Sequence, residues 1–209
     1  MILVVLAAAL AVPIPPEAVL LDGVAAVVER EVITRSDVER SARLALARKG
    51  GMVAARMALD DALRDAVLNM LIVEELVLLD ARRNQRFPET DEQVALQAAR
   101  VRSLFKTDDD FTEFLKFAQL TENEFLERMR REVRVDLILA EHMGAAVITD
   151  EEIAEAVKAH PELRTDDANL TRLRARQHLQ QQRANDSALA YISTLRARTS
   201  IKIIGQRAP

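Results

Sequence analysis

The residues of this chain able to do acid–base or metal chemistry are few and scattered. Three histidines, His142, His160 and His178, stand apart in the sequence, none with a metal-ligating partner at helical spacing. Carboxylates gather at Asp60-Asp61, Asp108-Asp109-Asp110 and Glu151-Glu152. Each group falls near an expected helix start, where acids complement the helix dipole and cap backbone N–H groups. Cysteine is absent, which removes disulfides, thiolate nucleophiles and cysteine-ligated zinc. The chain holds no HExxH, no glycine-rich phosphate loop, no GxSxG and no GxGxxG. On these residues neither a catalytic centre nor a bound metal or cofactor is expected. Two apolar groups invite attention instead. Phe111, Phe114 and Phe117 recur every three residues along one short helical stretch. Core packing accounts for that spacing, and a partly exposed apolar groove is the alternative. Met52 and Met57 flank the break at Gly50-Gly51, where flexible thioethers could make adaptable contacts or simply fill a core.

The elements that must position these residues are mostly helical. Apolar residues make up 49% of 209 and aromatics only 3%, a balance that favours helices over a β-sandwich. Val24 to Val28 reads as a buried strand, Glu29-Arg30-Glu31 as a tight turn and Val32-Ile33-Thr34 as renewed extended chain. Ser36 with Glu39 has the pattern of a capping box opening a helix that Gly50-Gly51 ends. A long helix follows from about Arg56 to Asn84, with Leu59, Leu63, Val67, Met70 and Leu71 on one apolar stripe. Thr90/Gln93, Thr121/Glu124 and Thr149/Glu152 make three further boxes. The helix from Thr121 runs to about His142 before Gly144, and the last of the three covers Asp150 to Ala159. His160 to Asp167 is the one internal linker, Ala168 to Arg198 is helical, and Thr199 to Ile204 is a strand. A lone short strand cannot satisfy its backbone in a helical protein. The two β-like ends are therefore expected to pair and close one domain, residues 22–204.

Net charge is −4, but residues 168–209 carry eight Lys/Arg against one Asp. A basic tail can bind nucleic acid or an anionic membrane. Here the arginines interleave with Leu and Ala at helical spacing, so packing across acidic helices of the same domain is expected, and no nucleic-acid partner. Residues 1–12 carry no charged side chain and precede Pro13, Pro15 and Pro16. That run is shorter than the about 20 apolar residues of a membrane span and suits a secretory signal. Cleavage is expected after Ala11 or Ala18, within residues 1–18, although the basic region that usually opens a signal is missing. Export without stable membrane insertion is therefore expected.

Several segments together resemble the SurA-type periplasmic chaperones. They are Val24 to Val28 with Val32 to Val38, Leu63 to Leu76, Thr90 to Val94, Phe114 to Ile138, Ile148 to Ile153, and the closing Ala175-Arg176, Leu179, Tyr191-Ile192, Leu195-Arg196 and Ile201 to Ile203. The family carries one or two parvulin-type isomerase domains between the last two segments, where this chain has only residues 160–167. The resemblance thus implies the helical chaperone core, closed by a small β-ribbon, without prolyl isomerase activity. It implies an ATP-independent holdase for unfolded envelope or outer-membrane precursors. The alternative is a non-catalytic scaffolding subunit of an envelope assembly using the same fold. The residues singled out for client contact are Met52, Met57, Phe111, Phe114 and Phe117.

Overall fold

The computed structural model describes residues 22–143 and 147–204. The expected signal segment and Gly144 lie outside those residues.

Strand β1 (Val24–Val28) turns through Glu29-Arg30 into β2 (Glu31–Thr34). Helices α1 (Arg35–Ala55), α2 (Asp61–Arg83), α3 (Asp91–Arg102), α4 (Asp108–Phe117) and α5 (Glu122–His142) follow. Then come α6 (Asp150–Ala159), a 3-10 turn at Pro161–Leu163, α7 (Ala168–Ala197) and β3 (Ile201–Ile203). The sheet order is β2-β1-β3, with both pairings antiparallel. The two ends of the domain do pair, Val28 opposite Ile201 and Ala26 opposite Ile203. The hairpin strand β2 makes the sheet three-stranded.

The helix starts follow local chemistry. Thr90/Gln93, Thr121/Glu124 and Thr149/Glu152 all form reciprocal capping boxes. The first box is Thr34 with Asp37, two residues before the expected Ser36 with Glu39. Thr34 ends β2 with extended backbone, so its hydroxyl already faces the first free N–H groups of α1. Helix α2 begins at Asp61, later than the expected Arg56, because the Asp60 carboxylate accepts from Leu63 N–H at 2.7 Å. The chain between α1 and α2 is held by Arg43, which donates to the carbonyls of Ala55 at 2.9 Å and Met57 at 2.6 Å.

α1 breaks where the glycines stand. Gly51 has φ +59° and ψ −145°, backbone that only glycine enters readily. A Cβ there would meet the Leu104 carbonyl oxygen at 2.9 Å. The kink is what lets the end of α1 close on the α3–α4 connection.

Two main cores result. The first joins the inner face of the sheet (Ala26, Val28, Ile33) to α1, α2, the later part of α5 and Leu195 of α7. The second packs Leu44 and Ala47 of α1 with α3, α4 and the first half of α5 around Phe105, Phe111, Phe114 and Phe125. Ile153, Ala156 and Ala175 form a small third cluster between α6 and α7. Helix α7 is about 45 Å long at 1.5 Å per residue. Only Ala175 and Leu195 of it are buried, one near each end. It ties α6 to the main body, and two of its arginines pair with α6 acids, Arg172 with Asp150 and Arg183 with Glu152. Near its C-terminal end, Tyr191 donates to the buried Asp80 carboxylate at 2.8 Å, Arg198 pairs with the same group, and His142 stacks on the Tyr191 ring at 3.7 Å. The expected linker at 160–167 is a compact turn. It brings the His160 and His178 rings to 4.4 Å, so these two histidines are neighbours and not the isolated residues their sequence positions suggested.

Candidate functional site

The long apolar helix α2 carries two acids in mid-span, Glu74 and Glu75, and both are buried. A buried carboxylate needs opposite charge and hydrogen bonds. Helix α5 supplies them. Arg128 reaches Glu74 at 2.7 Å, and Arg131 reaches Glu74 at 3.1 Å and Glu75 at 2.8 Å. Arg82 closes on Glu75 at 2.5 Å and on Glu31 at 3.2 Å. At the other end Glu132 takes Arg128 at 3.3 Å and Arg48 at 2.5 Å. The result is a continuous ionic chain from β2 through α2 and α5 to α1. Burial alone would lower the Arg131 pKa, but the two glutamates outweigh it and hold the group above its ordinary value.

A cleft opens on each side of this chain. The larger, about 560 Å³, lies among α1, α2, α3 and α5. Its apolar surface comes from Ala66, Met70, Val73, Val135 and Leu139, and its charged lining from Arg48, Glu74, Arg128, Glu132 and Asp136. Asp136 is half-buried; burial, then Glu132 and Glu74, push its carboxyl above the usual aspartate range against the pull of Arg48. The smaller cleft, about 320 Å³, runs along β2 between α1, α2 and α5, floored by Ile33, Leu71 and Leu120. Asp37 on its wall sits below the ordinary range: burial acts against this, and the N–H and hydroxyl of Thr34 together with Arg40 prevail.

The residues expected to touch clients do not form one site. Phe111 and Phe114 are fully inside the second core, with rings 5.5 and 5.0 Å from Phe105. As the domain stands they cannot present surface to a client, and the groove reading of these two is corrected to core packing. Phe117 lies on the flank of the same helix and is 41% exposed, with the Arg43 guanidinium 5.2 Å from its ring centre. Met57 is 59% exposed, and the same Arg43 binds its carbonyl. Met52 is partly buried against the second core. The structure therefore gathers Met57 and Phe117 around Arg43 and leaves Met52 to packing.

Sequence reasoning missed the clefts. Met70 falls on the apolar stripe of α2, yet it is 44% exposed and lines the larger cleft. The available signal was the pair Glu74-Glu75, set in an apolar run with no basic residue one turn away. Acids so placed require bases from another element, which marks a helix interface with polar character.

Among the described residues no group of three or more His, Cys, Asp or Glu can hold a metal ion, and no helix is long and apolar enough to cross a membrane. No curated protein matches the chain. A family model described as the SurA-like N-terminal domain matches residues 1–139.

Proposed function

We infer the function from the premise that this chain belongs to the family of SurA-like N-terminal domains, a chaperone-type family. The reading we propose is an ATP-independent holdase of the cell envelope, exported to the periplasm, that binds unfolded precursors of envelope or outer-membrane proteins. It acts by binding and release, with no chemical step. The observation that carries this reading is the larger cleft. It is open and about 560 Å³, with a flexible Met70 among Ala66, Val73, Val135 and Leu139, and charged side chains of the ionic chain beside them. Such a surface accepts varied apolar side chains without demanding one shape. The ionic chain beneath it fixes α2 against α5, so the floor is preformed. A holdase without ATP works by mass action, and modest affinity per contact suits release as the client folds.

The test is dilution of a urea-unfolded outer-membrane β-barrel protein into buffer with and without this protein, read as light scattering. Near-stoichiometric suppression of aggregation, absent with an unrelated folded protein, is the expected result. No suppression together with no measurable binding would overturn the reading. Capture of one folded envelope protein at high affinity would then favour a scaffolding role.

A further inference from the structure

We propose that the outer edge of β2 takes an extended segment of another polypeptide as an added strand, seated in the smaller cleft. This rests on the chaperone reading and names how one client segment is held.

The hydrogen-bonding register points to it. Glu29 N–H donates to the Ser200 carbonyl at 2.8 Å, and Ile204 N–H donates to the Ala25 carbonyl at 2.8 Å. Residues 25, 27 and 29 therefore turn their backbone groups toward β3, because these directions alternate along a strand. Val27 lies opposite Val32. Val32 must then turn its N–H and C=O away from β1, across the free edge of the sheet. That edge is where the cleft lies: Glu31, Val32 and Ile33 line it in succession. Val32 is 52% exposed, so the described residues leave it open to solvent. An unpaired donor and acceptor one residue apart from a buried ladder match the backbone of an extended chain.

The rest of the cleft says what such a segment carries. Ile33, Leu71 and Leu120 offer an apolar floor to a side chain of the incoming strand. The lining holds five acids, Glu124 and Glu127 of α5 among them, against the three arginines Arg40, Arg128 and Arg131; it is net negative, so a basic residue beside the apolar one is favoured. The free edge is short, because Thr34 N–H is already taken by Asp37 at 2.9 Å. The added strand gains one reciprocal pair of hydrogen bonds at Val32, enough for selection of extended chain and weak enough for exchange.

Two substitutions separate this from the chaperone reading. Val32→Pro removes the outward N–H and spares the ladder to β1, since proline is tolerated at a free edge. Ile203→Pro makes the same change at the opposite edge, where the Ile203 N–H also points away from β1. With a fluorescent, urea-unfolded outer-membrane β-barrel protein as probe, V32P is expected to bind roughly tenfold more weakly and I203P like the wild type. Amide exchange on the unmodified protein is the second measurement: the Val32 N–H should become protected when the probe is added, and the Ile203 N–H should not. Equal binding by V32P and wild type with no protection at Val32 overturns the strand-addition proposal and leaves the holdase intact. Equal weakening by both variants also overturns it. Absence of wild-type binding overturns both readings. Protection of Val32 on concentrating the protein alone would make a second copy of this chain the occupant and overturn the proposal.

Discussion

Leu195→Ala tests whether α7 is part of the folding unit or a strut laid against it. Leu195 is the one buried residue in the C-terminal half of α7, 1% exposed, and it enters the first core beside residues of α2 and the sheet. Truncation of a leucine buried to this degree costs about 2–5 kcal/mol, the spread reflecting how far the site collapses. Partly buried Tyr191 and Ile201 pack against the same core and can close some of the gap, so about 3 kcal/mol is expected. For a chain of this length that lowers Tm by roughly 6–12 °C. The molecule supplies two separate reporters. Helical ellipticity follows the whole domain. The single tyrosine, in a chain with no tryptophan, sits on α7 with its hydroxyl bonded to Asp80. A carboxylate acceptor quenches tyrosine emission, so release of α7 should brighten it. Both signals should change at one temperature in the wild type and at one lower temperature in L195A. A tyrosine transition that precedes the ellipticity transition, or an unchanged Tm, would refute the claim that the C-terminal helix and strand close the core.

Glu74→Ala leaves Arg128 and Arg131 facing a buried gap and should lower the unfolding free energy by about 3 kcal/mol, measured by urea denaturation. Phe114→Ala should cost about 3–5 kcal/mol in the same assay, against at most about 0.5 kcal/mol for exposed Phe117→Ala, with equal losses contradicting the core assignment. Asp136→Asn should stabilise the protein at pH 7. Burial and the neighbouring Glu132 and Glu74 raise the folded-state pKa of Asp136 above 3.8, so the folded form binds that proton more tightly and loses stability as pH rises through the window between the two values. The variant's advantage should therefore shrink as pH falls and vanish below 3.8, where Asp136 is protonated in both states. An advantage that persisted in acid would place its origin elsewhere.

What could be read from the sequence was mostly what is decided locally. Three capping boxes lie where their residues put them, because a Thr and an acid or amide three residues on satisfy each other without help from the rest of the chain. The pairing of the ends was also legible, since short strands must find partners. Where two local solutions competed, tertiary context chose. Ser36 with Glu39 has the right pattern, but Thr34 leaves the sheet already extended and captures α1 first. Arg56 to Leu59 could have continued a helix, but Arg43 holds the carbonyls of Ala55 and Met57 and the chain waits for the Asp60 cap. The clefts were illegible for a different reason. Their walls come from α1, α2, α3 and α5, and no local pattern records that Met70 faces the space α3 and α5 leave open. The phenylalanine triplet shows the same limit. Three residues spaced alike along a ten-residue helix still diverge in angle, so Phe111 and Phe114 enter the core and Phe117 turns out of it.

The antiparallel register of β1 with β3 also sets how the domain yields to force. Ala25 lies beside Ile204 and Glu29 beside Ser200, so the described ends of the chain leave the sheet at the same end of the ribbon. Tension applied between them loads the bonds one after another, from Ile204 inward to Lys202 and then Ser200. That is a zipper and not a shear lap. A fold that heat must break as a unit would thus open at low mechanical load when pulled by its ends, with β3 peeling first and α7 exposed next through its Asp80 contacts.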